Sequence, residues 1–245
     1  MLDPGLRPPV AGRTFTAERR LRLSDRDRSG RARLDALARL LQDTAIDDVQ
    51  ETGWGVPDHL WFVRRIRLDV LAPFVADERL ELVTWCSGVV SIAAGRRWSV
   101  RGDRGGRAEV DSVWIHLGPD KRPARIEDFE IYAAAAGGRI VSTKLELAPP
   151  CRPFDGQHWQ LRSADVDAHG HVNNAVYWQA VEDRAAASGP DLAAPHRALL
   201  EYREPVALAD ELELAARHDE EGLAIGFMVA GRARAVARVE PLHPT

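Results

Sequence analysis

The sequence predicts an α+β chain built from two tandem units, each an antiparallel sheet wrapped around a central helix. Three observations carry this. The segment 24–43, "SDRDRSGRARLDALARLLQD", recurs 140 positions later, with Asp25, Asp27, Gly30 and Asp43 falling on Asp165, Asp167, Gly170 and Asp183. A second echo follows in the same order, "ADERLEL" at 76–82 and "ADELEL" at 209–214. Each copy then has the same grammar: a polar turn, one helical pattern, and a run of strand-like segments separated by turn signals.

The copies are expected near 13–120 and 152–240, joined by a linker over 121–151. In the first copy Leu34, Leu37, Leu41 and Ala45 fall at three-to-four-residue steps, a helix stripe that ends near Gly53. Strands are expected near 60–71, 78–86, 92–101 and 108–117, with "DRGG" at 103–106 as a hairpin turn. In the second copy Asn173 or Asn174 caps a helix whose buried stripe is Val176, Tyr177, Ala180 and Val181, and Gly189-Pro190 stops it. Its strands are expected near 197–206, 211–217, 223–230 and 232–239. The opening "MLDPGLRPPVAGRTF" reads as a loose arm, and the linker as irregular chain with one short helix. Two such units can join exposed sheet edges, giving an internal pseudo-dimer; a homodimer beyond that is open.

Composition narrows the function classes. The chain has 245 residues, 45% of them hydrophobic and 29% charged, with a formal net charge of −4. That balance gives no reason to expect a nucleic-acid partner. No apolar run approaches a membrane span, and with only Cys86 and Cys151 present no disulfide framework is expected. A cytoplasmic location is the simplest reading. Residues 1–42 hold ten arginines against five acids, a local excess of five. This is either a solvated face or a docking surface for something acidic.

The densest chemistry lies in "SADVDAHGHVNNAVYWQAVED", residues 163–183. Asp165, Asp167, His169, His171, Asn173 and Asn174 crowd ten positions where a loop meets a helix. In an extended segment the spacing Asp167-x-His169-x-His171-x-Asn173 sends these side chains to one side. A helix start adds free N–H groups and a positive dipole end, suited to a developing oxyanion. The pattern fits general-base hydrolysis, with Asp167 or His171 activating water, His169 orienting or relaying, and Asn173 holding the carbonyl or the water. Asp165 reads as a turn residue. Two histidines beside acids are also a metal pattern, but no third imidazole or thiol is placed nearby in sequence. No metal or cofactor is expected.

"DVDAHGHVNNAVYW" resembles the Asp-x-Asn-x-His-Val-Asn-Asn-x-x-Tyr signature of the acyl-ACP thioesterases. "LDALARLLQDTAIDDVQETG", "LWFVRRIRLDV" and "RRWSVRGDRGGRAEVDSVWIHL" are similar to that family's N-terminal regions. The resemblance spans roughly 13–240 and implies two fused hotdog folds, with hydrolysis of fatty acyl thioesters. It places the family's catalytic acid on Asp167 and its catalytic histidine on His171. The intervening asparagine falls on His169, a departure. "LEYREPV" (200–206) puts the family's glutamate on Pro205 and its cysteine on Val206, so neither role carries over; Glu204 fits only with a one-residue shift. The resemblance also implies that the N-terminal unit shapes the acyl pocket. Leu37, Leu41, Trp61 and Val63 are its candidate lining, with Asn174 a further substrate contact. The implied partner is acyl carrier protein, or a coenzyme A thioester, either of which suits a basic rim. Two rival functions are an enoyl-thioester hydratase and a non-catalytic acyl-thioester sensor.

Overall fold

The computed structural model describes residues 7–54, 60–151 and 154–242. Its elements are β1 (Thr14–Arg20), α1 (Leu34–Thr52), β2 (Leu60–Ala72), β3 (Arg79–Val90), β4 (Ala93–Gly102), β5 (Arg107–Leu117) and α2 (Glu130–Ala136). Then follow β6 (Asp155–Trp159), α3 (Asn174–Ser188), β7 (His196–Tyr202), β8 (Leu212–Asp219), β9 (Gly222–Val229) and β10 (Arg232–Pro241).

The ten strands form one antiparallel sheet in the order β1-β3-β4-β5-β2-β7-β10-β9-β8-β6. Read from its centre, the order is the same in both directions: β2, β5, β4, β3, β1 one way and β7, β10, β9, β8, β6 the other. An approximate twofold axis therefore passes between β2 and β7. These two strands pair from Arg65 opposite Glu201 to Val70 opposite His196, so the two inner edges cover each other. Helices α1 and α3 pack together, and their buried stripes share one core with the sheet. Leu34, Leu37 and Leu41 from α1, Leu68 and Leu82 from the first half, and Tyr177, Trp178 and Val181 from α3 all belong to it. This is the double hotdog arrangement.

The expected helices and central strands are present, with two differences that have physical causes. Two strands escaped the sequence pattern, β1 and β6. Both are sheet edges, and β1 buries only Ala17, so no hydrophobic alternation marks it. Strand β7 ends at Tyr202 rather than continuing to 206. The N–H groups of Arg203 and Glu204 both turn to the Arg234 carbonyl (2.8 and 3.1 Å), and Pro205 has no N–H to continue a ladder.

The linker crosses the outer face of the sheet from one half to the other. The Val89 N–H donates to Arg139 O (3.0 Å). Further on, the Glu146 and Leu147 N–H groups donate to the fully buried Glu201 carboxylate of β7 (2.8 and 2.9 Å). The chain lies flat because Gly88 and Gly95 have no side chains. A Cβ at Gly95 would sit 2.6 Å from Val141 Cγ1, and one at Gly88 2.9 Å from the same atom.

The halves are also locked through their helices. Arg33, the residue preceding α1, offers no side-chain cap; the acceptor comes instead from α3. Glu182 Oε1 accepts the Leu34 N–H at 2.6 Å, while Arg31 donates to both carboxylate oxygens at 3.1 and 2.7 Å. All of this is buried. Removing one partner of such a pair strands the other charge out of water, at about 3–5 kcal/mol. Glu182→Ala is thus expected to cost about 3 kcal/mol in urea unfolding. A loss under about 1 kcal/mol would mean the pair does not hold the halves together.

Candidate functional site

The crowded segment folds as a tight hairpin turn, not as the extended run that the alternate spacing suggested. Val166 bridges Val172, the Asp167 N–H donates to His171 O at 2.9 Å, and the Gly170 N–H donates to Asp167 O at 3.0 Å. Gly170, at φ +82°, supplies the left-handed residue that such a loop requires. Asp167 and His171 therefore stand opposite each other across the turn, on one face. His169 lies at its tip and is exposed, whereas Asp167 and His171 are half-buried.

The flanking residues fix this turn onto α3. Asp165, buried, accepts the Arg162 N–H (2.8 Å) and the Arg162 guanidinium (2.8 Å). Its carbonyl accepts the Asn173 N–H at 2.8 Å. Asn173 caps α3: its Oδ1 accepts the Ala175 N–H at 2.9 Å, and among the bonds of the described residues its side-chain NH2 donates none. Asn174 opens the helix, and its carbonyl accepts the Tyr202 hydroxyl at 3.1 Å. Behind the turn, the Val172 N–H donates to Val206 O at 2.8 Å. Tyr177 packs edge-on against Tyr202, ring centroids 5.2 Å apart. Burial pushes both phenols well above their ordinary range, so they stay protonated.

The first copy has the same backbone and a different chemistry. Asp27 N–H to Arg31 O (2.8 Å), Gly30 N–H to Asp27 O (3.1 Å) and Arg33 N–H to Asp25 O (2.9 Å) repeat the second turn bond for bond. Here Asp27 is fully engaged, by the Ser29 hydroxyl (2.7 Å), the Ser29 and Arg31 N–H groups, and the Arg31 guanidinium. Against the cost of burial, these partners hold its carboxyl below the ordinary value. Asp167, by contrast, accepts only the His169 N–H (2.9 Å) among the bonds of the described residues.

The residues that the family likeness left vacant are also explained. Ala32 N–H to Phe74 O (2.9 Å) in the first copy matches Val172 N–H to Val206 O in the second, so Pro205 is the repeat of Pro73. Glu204 is ion-paired with Arg232 (3.1 Å) and Arg234.

The candidate acyl-pocket residues divide. Leu37 and Leu41 line a cavity between α1 and the first half of the sheet, with Leu68, Leu82 and Val110; its volume is about 10 Å³. Val63 is a core residue outside that lining. Trp61 lies elsewhere, in an aromatic group with Trp54, Phe129 and His116 at centroid distances of 6.1, 6.2 and 5.3 Å. Of the ten arginines in 1–42, six (Arg13, Arg19, Arg26, Arg31, Arg33, Arg39) form ion pairs within the fold. Much of that charge is structural. Among the described residues no helix is long and apolar enough to cross a membrane.

Fold and site together define a fused double hotdog protein with one polar turn kept open and its twin closed. The chain belongs to the acyl-ACP thioesterase family: the N-terminal domain model matches residues 12–134 and the C-terminal domain model residues 152–240. It is a thioester hydrolase of acyl-ACP. An uncharacterized protein of Mycobacterium tuberculosis H37Rv is 29% identical over 239 residues, covering 96% of this chain and 94% of the relative. The fold is shared with an acyl-ACP thioesterase from Bacteroides thetaiotaomicron (TM-score 0.77, 16% identity, 93% of this chain and 97% of that one). It is shared as well with a 12:0-ACP thioesterase from Umbellularia californica (TM-score 0.75, 18% identity, 93% and 96%).

The cap geometry separates folding from chemistry at Asn173. Asn173→Ala loses the Ala175 bond and is expected to lower stability by about 1 kcal/mol. Asn173→Asp keeps an acceptor there and is expected to unfold within about 0.5 kcal/mol of the parent. Paired urea melts check this; equal losses in both variants would mean that the cap bond contributes nothing.

Proposed function

We propose that the hydrolytic centre is the Asp167–His171 turn at the start of α3, and that it acts by general-base catalysis. The observation that carries this reading is the pairing of Asp167 with His171 across a turn anchored to a helix N-terminus. A water oxygen attacks the thioester carbonyl carbon while its proton passes to the Asp167–His171 pair. The carbonyl oxygen gains the charge, beside the N–H groups and positive dipole end of α3. The intermediate collapses by breaking C–S, and the proton held by the pair returns to the departing thiolate. Free fatty acid and carrier thiol are the products. His169, at the exposed tip, orients the pair or relays protons to solvent. Asn173 contributes its free amide NH2 to the carbonyl or the water, and Asn174 borders the same opening.

The acyl chain is assigned to the N-terminal half, along Leu37 and Leu41. Their cavity holds no more than one water as it stands, so a fatty chain must part the aliphatic side chains that line it. Val63, in the same core, is proposed as a further part of this wall. Trp61, outside the cavity, is a weaker candidate for direct contact. Coenzyme A thioesters are proposed as a second carrier class, and the cytoplasm as the location, in keeping with two unpaired cysteines.

Asp167→Ala and His171→Ala are each expected to lower acyl-thioester turnover by about 10²-fold or more, read as thiol release from acyl-ACP and acyl-CoA series. Wild-type rates in both variants would put the site elsewhere. Leu41→Ala is expected to move the chain-length profile toward longer acyl groups and to cost about 2–5 kcal/mol of stability. An unchanged profile would remove α1 from the acyl wall.

A further inference from the structure

Residue Gln42 stands at the place in α1 that Glu182 holds in α3. Each is the eighth residue beyond its helix start, Leu34 or Asn174. The sheet order repeats itself about the β2–β7 axis, and the two turns repeat bond for bond at an offset of 140. The twofold that exchanges the halves exchanges α1 with α3. By that relation the place of Glu182, against the Leu34 N–H and Arg31, corresponds to the place of Gln42 relative to the start of α3 and His171. The neighbouring Asp183 likewise reaches the first turn of α1, where burial and Asp35 raise its carboxyl.

We infer that Gln42, from the N-terminal half, completes the C-terminal hydrolytic centre by donating its side-chain NH2 to the thioester carbonyl oxygen beside the start of α3. This rests on the reading of the Asp167–His171 turn as that centre. The reason lies in the difference between the two helix starts. At α1 an internal carboxylate accepts the first N–H at 2.6 Å and neutralises Arg31, so the place is closed to any other anion. At α3 the equivalent side chain is a neutral amide, Gln42, half-buried. Among the bonds of the described residues, no side-chain carboxylate takes the Asn174 N–H. A carboxylate there would oppose the charge developing on the carbonyl oxygen; an amide NH2 stabilises it. One position on each helix thus decides which of two equivalent turns is sealed and which is open.

The test uses the full chain and three variants: Gln42→Ala, Gln42→Glu and His171→Ala. Gln42→Ala is expected to lower kcat by about 10²-fold with a smaller change in KM, and Gln42→Glu by at least as much. Independently of turnover, Gln42→Glu places a carboxylate beside His171. The imidazole NMR signals of His171 are then expected to titrate about one pH unit higher than in the parent. A residue that merely supported the fold would not move that titration. Wild-type kcat in both Gln42 variants with an unmoved His171 titration overturns the inference, and leaves the site standing if His171→Ala is inactive. If His171→Ala keeps its turnover, the site reading is what fails. In that case the inferred donor role of Gln42 falls with it, even where the titration confirms its position.

Discussion

Everything in this molecule is arranged around the pairing of β2 with β7. Each is the inner edge of a five-stranded half, and neither half could leave it open without exposing a row of unpaired backbone groups. Antiparallel pairing solves this by placing a twofold axis at the join, with the fully buried Leu68, Ala198 and Leu200 along it. Asp69 ties the strands a second time, bound to Arg67 and, across the join, to Arg197 (2.8 Å). Burial works against its charge, but the two arginines hold its carboxyl below the ordinary value. Because the axis is set here, α1 and α3 must meet on the same face, each with its N-terminus beside the other's flank.

That geometry makes two equivalent helix starts, and the side chains then break the symmetry. In the first copy, serine and arginine bind Asp27, and Glu182 fills the helix start. The result is a buried ion-pair cluster, useful for holding the halves in register. In the second, histidines replace serine and arginine at positions 169 and 171, and Asp167 has a single backbone partner. A hydrolytic centre requires an uncommitted base and unoccupied N–H donors. Among the described residues only the second copy keeps both, which is why the centre is proposed there and the first copy is proposed as framework and acyl wall. The same logic accounts for the residues at 205 and 206. Their part is played by the main chain, the Val206 carbonyl receiving the Val172 N–H, and the side chains there are free to follow the repeat instead of the chemistry.

Much of this was legible in the chain itself. The 140-residue offset, the helix stripes from Leu34 to Ala45 and from Val176 to Val181, the central strands and the turn at 163–174 all rest on local patterns, of period or of turn chemistry. Such patterns act between residues close along the chain. So does the cap, since Asn173 and Ala175 are neighbours. The same local signals singled out Asp167 and His171, though the alternate spacing suggested an extended run. The glycine at 170 turns it into a hairpin that sets the two face to face.

What tertiary structure alone decided are matters of distant partners. Strands β1 and β6 exist because an edge was available to them, and their own residues carry no buried alternation. The arginines of 1–42 look like a docking surface until the fold supplies Asp47, Asp48, Asp77 and Glu182 as counter-charges. Glu182 reads as an ordinary helix-surface acid, and becomes the cap of a helix about 150 residues earlier. Trp61 shares a strand with Val63, yet packs in a different cluster, with Trp54, Phe129 and His116. The sequence determined the two units and the turn proposed to carry the chemistry, because those depend on neighbours along the chain. That the first turn lacks the histidines was legible at Ser29 and Arg31; what the contact between the halves added is the Glu182 carboxylate at the start of α1, whose burial and charge pairing no local window contains.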